Sequence, residues 1–108
     1  MIFKVITATI NVPMLEKVES RLKDIGVPGI SISDTRGYGV YKNFFQRDWL
    51  DTHARIQIYA PESRVDEIVE AIMEAAYAGL EDDGIIAVGP VDALYRISDK
   101  EKLATDHF

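Results

Sequence analysis

Arg55-Ile56-Gln57-Ile58-Tyr59-Ala60-Pro61, followed closely by Val65-Asp66-Glu67-Ile68-Val69-Glu70-Ala71-Ile72, carries the change of period that decides the fold. In the first stretch Ile56, Ile58 and Ala60 alternate with Arg55, Gln57 and Tyr59, the two-residue period of a half-buried strand, which Pro61 ends. In the second, Val65, Ile68, Val69, Ile72, Ala75 and Ala76 recur at helical spacing and put one apolar stripe on a helix, with Gly79 expected to close it. Asp66, Glu67, Glu70 and Glu74 form its wet face.

The same succession precedes it. Residues 2–9 are rich in Ile, Val, Phe and Thr, as strands are. Asn11 and Pro13 suit a helix start. Leu15, Val18, Leu22 and Ile25 give an apolar stripe that Gly26 stops. Ile30-Ser31-Ile32-Ser33 alternates as a second strand, broken at Gly37-Tyr38-Gly39, and a loop runs to about residue 52. After the second helix, Ile85-Ile86-Ala87-Val88 is a fourth, fully apolar strand. Residues 91–97 continue it in extended form, and residues 98–108 are expected to be a charged, loose tail.

Strand, helix, strand, strand, helix, strand makes two similar halves. The expected class is α+β, a ferredoxin-like βαββαβ domain over residues 1–97. Right-handed crossovers place both helices on one face of a four-stranded antiparallel sheet. The strands carry apolar residues on both faces, so the face without helices needs a cover, and oligomerisation is the simplest one.

Composition narrows the function. The chain has 108 residues, 47% of them hydrophobic and 28% charged, which suits one globular domain. It has no Cys, so disulfides, thiolate catalysis and Cys-ligated metals are out. The net charge of −6 argues against a nucleic-acid binder. No apolar run approaches the roughly 20 residues of a membrane span, so direct membrane insertion is not expected. The N-terminal residues lack a secretory pattern, which makes the cytoplasm the expected compartment. His53 and His107 lack metal-ligand spacing, and no nucleophile–base set, metal cluster or carboxylate pair suggests an enzyme.

From about Phe3 to Ile97 the chain resembles the P-II signal-transduction family, which is trimeric. Leu22-Lys23-Asp24-Ile25-Gly26-Val27-Pro28-Gly29-Ile30-Ser31-Ile32 is similar to the segment after that family's first helix. Gly37-Tyr38-Gly39 stands where the family's long T-loop opens, making residues 37–52 the T-loop. Residues 79–91 resemble its B-loop, at about residues 79–84, and its fourth strand, ending in the Pro90-Val91 pair. The resemblance implies a homotrimer with a small effector in clefts between subunits. That effector is expected to be an adenine nucleotide, contacted by Gly37, Gly39, His53, Asp83, Gly84 and Arg96.

The departures are equally informative. The family's Gly-Asp-Gly-Lys is Asp82-Asp83-Gly84-Ile85 here, which removes a phosphate-binding lysine and adds negative charge, so AMP and ADP are expected to bind at least as well as ATP. Arg96 matches the first of two family arginines, while Ser98 replaces the second. Tyr41 stands in place of a glutamine that helps the family bind 2-oxoglutarate through a metal, and His53 in place of a lysine. The T-loop is shorter and has no clear counterpart of the family's uridylylated tyrosine. These changes resemble divergent P-II-like proteins.

Residues 41–50 hold four aromatics, including the single Trp. Tyr41, Phe44, Phe45, Arg47, Asp48 and Trp49 are the types that anchor interfaces, so the segment is either a partner-binding loop or a local packed cluster. Each other site has an ordinary counterpart. The glycine pair could be a strand-ending turn, residues 81–84 a solvated turn, and Arg96 half of a surface ion pair. The leading function is therefore a regulator whose effector sets the loop that docks on a protein target, for which a membrane transport system, such as one for inorganic carbon, is a candidate. A structural trimer without ligand, like the cation-tolerance proteins, and an enzyme on the same fold are the alternatives.

Overall fold

The computed structural model describes residues 2–34, 53–81 and 83–104. Strand β1 (Phe3–Asn11) leads through a 3-10 turn (Val12–Met14) into helix α1 (Leu15–Asp24), and β2 (Ser31–Asp34) follows. β3 (His53–Pro61) leads through a second 3-10 turn (Glu62–Arg64) into α2 (Val65–Ala76), and β4 (Gly84–Val91) follows. Each half thus repeats nine strand residues, three of 3-10 turn and a helix that starts at once. The sheet order is β2-β3-β1-β4, with antiparallel pairing throughout. This is the ferredoxin-like fold that the order of elements implied.

Register assigns the two faces. Ile6 lies opposite Ile58 and Val88, and Ala8 opposite Ile56 and Ile86. Ile6, Ala8, Ile10, Ile56 and Ile58 are buried together with Val18 and Leu22 of α1 and Ile68 and Ile72 of α2. Both helices therefore cover this face. Ala71, Ala75 and Ala76 keep α2 thin where it meets the core. The opposite face carries Val5, Thr7, Gln57, Tyr59, Ile85 and Ala87. Tyr59 and Ile85 remain 44% and 36% exposed there, so no element among the described residues covers the middle of that face.

The two helices end by different means. Beyond α1, Val27 N–H donates to Leu22 O at 3.0 Å and Gly26 N–H to Lys23 O at 3.0 Å, with Gly26 at φ +81°. This is a Schellman closure, and only glycine takes that backbone conformation without strain. α2 stops at Ala76, before the expected Gly79, because Tyr77 turns extended at ψ 127° and the chain leaves the helix axis. Gly79, at φ +79°, lies in the following loop.

Two further expectations are corrected at the C-terminal side. β4 runs without a break through Gly89 and Pro90; as the edge strand it tolerates a residue with no N–H to donate. Residues 91–97 do not simply extend it. The chain bends after Val91, and β5 (Tyr95–Arg96) pairs with β6 (Glu101–Lys102) in a small hairpin, so the start of the tail is structured. Leu103 N–H donates to Leu94 O at 2.8 Å, and Phe3 shares a cavity of about 380 Å³ with Asp92, Ala93, Lys102, Leu103 and Ala104.

Arg64 joins the two halves. Its guanidinium donates to the carbonyls of Ile25 and Gly26 at the end of α1, while Nε donates to Glu67 Oε1 at 3.0 Å. A cation at a helix C-terminus satisfies orphan carbonyls and complements the helix dipole. Arg64→Ala is expected to lower unfolding free energy by about 1–2 kcal/mol in urea titration, with Arg64→Lys recovering part of it. Coincident midpoints for all three proteins would show that this cap contributes nothing.

Candidate functional site

The sheet register gathers the expected ligand residues into two groups. His53 opens β3 opposite Asn11, Gly84 opens β4 opposite Ile10, and Asp34 closes β2 opposite Ala54. The flanks of residues 35–52 and the loop after α2 thus meet at one end of the sheet. His53 is buried there. Gly37, Gly39 and the six loop residues Tyr41, Phe44, Phe45, Arg47, Asp48 and Trp49 lie outside the described residues.

The loop after α2 is organised around Asp83. Its Oδ2 accepts the N–H groups of Ala78 at 2.9 Å, Gly79 at 3.0 Å and Leu80 at 3.3 Å. Asp83 N–H donates back to Leu80 O at 3.2 Å. Successive N–H groups converging on one point form an anion receptor, and here a carboxylate of the same loop occupies it. A phosphate therefore does not meet these three donors free. The other oxygen, Oδ1, is buried without a hydrogen-bond partner among the described residues. Asp83 is one of the residues around an apolar cleft of about 360 Å³ between α2 and β4, lined also by Ile72, Met73, Tyr77, Ile86 and Val88.

Gly84 has a purely steric reason to be glycine. Its φ is +130°, and a Cβ there would lie 1.9 Å from the carbonyl oxygen of Thr9. The close approach is to β1 itself, which lets β4 enter the sheet straight from the loop.

Arg96 stands at the other end. β4 returns from Gly84 beside Ile10 to Val91 beside Phe3, roughly 23 Å at the rise of a strand. Beyond it, Arg96 donates from Nε to Asp99 Oδ2 at 2.9 Å and from Nη2 to the same oxygen at 2.6 Å. Asp99 Oδ1 accepts the Glu101 N–H at 3.1 Å. The Arg96 hydrogen bond holds the Asp99 carboxyl below its ordinary value of 3.8, and the same bond pushes the guanidinium up. Sequence inspection names the acidic neighbour of Arg96 only as a class. The Arg-x-x-Asp spacing across a turn is the available signal for Asp99. The Arg64 cap has none, since it bridges distant segments.

Comparison with known proteins decides the family. The sequence model described as "Nitrogen regulatory protein P-II" matches residues 3–101. The chain belongs to the P-II family. P-II proteins of Azospirillum brasilense and Haemophilus influenzae are 32% and 33% identical to it over 107 residues, covering 92% of this chain and 95% of each relative. That of Cyanidium caldarium is 32% identical over 93% of the chain. The structure of Arabidopsis thaliana PII bound to citrate superposes with a TM-score of 0.79 at 27% identity, covering 93% of this chain and 84% of that one. The P-II family is one of regulators rather than enzymes, and this chain is a regulatory signalling protein. Among its described residues no helix is long and apolar enough to cross a membrane.

Two outcomes test this geometry. Gly84→Ala is expected to cost about 2 kcal/mol or more in urea unfolding, because a backbone carbonyl cannot yield as a side chain tip would. Wild-type stability in that variant would mean that β1 and β4 separate freely. The Arg96–Asp99 pair depends on acid. A carboxyl that loses its proton more readily when folded contributes fully above 3.8, and its contribution is lost as pH falls through the lowered folded value. The amide signals of residues 95–102 are therefore expected to be constant from pH 7 to pH 5 and to shift only below about pH 4. A change centred near neutrality would refute this.

Proposed function

We propose that this P-II protein binds an adenine nucleotide in a cleft shared by two subunits and passes the binding on to a protein target through residues 41–50. The observation that carries the proposal is the separation of the two half-sites. His53 and Gly84 lie at the Gly84 end of β4, while Arg96 follows from its Val91 end, so a ligand that touches both groups is expected to draw them from different chains. The uncovered sheet face, with Tyr59 and Ile85 exposed, supplies the surface for assembly, and the family relationship makes a trimer the expected stoichiometry.

The ligand is expected to have few phosphates. The three N–H groups of residues 78–80 already hold Asp83, and no lysine follows Gly84. Arg96 is the phosphate contact that remains. The target is a protein, and a membrane transport system is the class proposed for it. A second reading, a structural trimer without ligand, draws on the same self-occupied groups, Asp83 on its loop and Asp99 on Arg96.

Calorimetry with AMP, ADP and ATP separates the two. AMP or ADP is expected to bind at least as tightly as ATP, and Arg96→Ala to weaken binding about ten- to a hundredfold, as loss of a charged hydrogen bond does. Sedimentation equilibrium is expected to give three times the 12.1 kDa of one chain. A monomer, or no binding of any adenine nucleotide, would refute the proposal.

A further inference from the structure

Arg96, the cation that the shared cleft requires, already holds an anion. Its Nε and Nη2 form one edge of the planar guanidinium, and both donate to Asp99 Oδ2. That edge is one of the two on which a carboxylate or phosphate docks two-pronged, and the one that also carries Nε. Asp99 also holds the turn between β5 and β6. Its Oδ1 accepts the Glu101 N–H, Lys100 N–H donates to Ile97 O at 3.3 Å, and Lys100 takes φ +59°, a conformation unfavourable for a residue with a side chain. The turn therefore leans on the bonds of Asp99.

We infer that Asp99 is an internal competitor for Arg96: an anionic ligand binds there by displacing the Asp99 carboxylate, and the displacement loosens the β5–β6 turn. The inference rests on the reading of Arg96 as the phosphate contact. The side chains of Arg96 and Asp99 are 45% and 35% exposed, and an ion pair so open to water is held weakly. A phosphate dianion can win the exchange, because it brings more charge and more acceptor oxygens to the same edge. A ligand that must break the pair gives up part of its binding energy in doing so. By linkage, the turn resists the ligand as much as the ligand loosens the turn. The hairpin then reports an occupied cleft on the surface of the subunit that supplies Arg96.

The test uses ADP with the full chain and two variants, Asp99→Asn and Glu101→Gln. Both remove one negative charge near Arg96, but only the first removes the competitor. The amide that Asp99→Asn introduces is isosteric with the carboxylate and keeps an oxygen for the Glu101 N–H, so the hairpin survives. Asp99→Asn is expected to tighten ADP about two- to fivefold, the scale of an exposed ion pair, with Glu101→Gln close to wild type. In wild type, ADP is expected to speed hydrogen exchange at the Glu101 amide. Equal gains in both variants, or no gain in Asp99→Asn while wild type binds ADP, would overturn the latch and leave the nucleotide reading intact. So would Glu101 exchange that ADP leaves unchanged. Absence of ADP binding in all three proteins would overturn the latch, and absence of AMP and ATP binding as well would overturn the nucleotide reading.

Discussion

β3 bonds to one edge of β1 and β4 to the other, and both registers obey the same alternation. Ile6 and Ala8 face the helices, so Ile58, Ile56, Ile86 and Val88 face them too. A slip of one residue on either side would turn an entire apolar row to solvent. At the entry of β4, the Thr9 carbonyl leaves no room for a Cβ at position 84, which pins that register sterically as well. The positions of His53 and Gly84 follow from this arrangement around β1. So does the bare face, because two helices entering on the same side leave the other side without a layer.

Charge in this chain is managed locally. With a net charge of −6, carboxylates are abundant, and two of them sit on groups that would otherwise attract anions. Asp83 gathers three N–H groups of its own loop, and Asp99 takes one edge of Arg96. The two are not equivalent. Asp83 ties three successive N–H groups of its loop to one oxygen while its Oδ1 is shut away from water, so removing it releases the shape of the loop. Asp99 is open to solvent and its bond is weak. An incoming anion meets a fixed obstacle at the first and an exchangeable one at the second.

Alternation in residues 55–60 and helical spacing in residues 65–76 are enough to read the order of elements. Burial acts on periods, and the periods are long and regular here. The end of α2 does not fall at Gly79, because a glycine is only one way to stop a helix. The extended Tyr77 and the Asp83 carboxylate, which makes no periodic signal, do it instead. The C-terminal hairpin is not legible in the sequence, where Tyr95–Arg96 reads as a continuation of the fourth strand and Glu101–Lys102 as part of a loose tail, because its strands are two residues each and exposed. Such strands bury too little to leave a pattern. Asp83, Gly84 and Arg96 are legible as positions, but their contacts are not, since hydrogen-bond partners depend on the path of the backbone.

A binding site divided between two subunits, as proposed, would tie ligand to assembly. If one nucleotide touches Arg96 of one subunit and the Gly84 end of the next, it binds the assembled state and not the separate chains. Such a ligand stabilises the assembly by an amount that grows with its concentration, about 2.7 kcal/mol at a hundred times its dissociation constant. In the proposed trimer the sheet face left uncovered by the described residues would supply association without ligand, so the contribution of the ligand would be a bias and not the whole. That division suits a regulator. In the proposed assembly the exposed sheet face would hold the subunits together constantly, while the polar groups at the ends of the sheet, partly pre-occupied, would respond to the concentration of a small molecule.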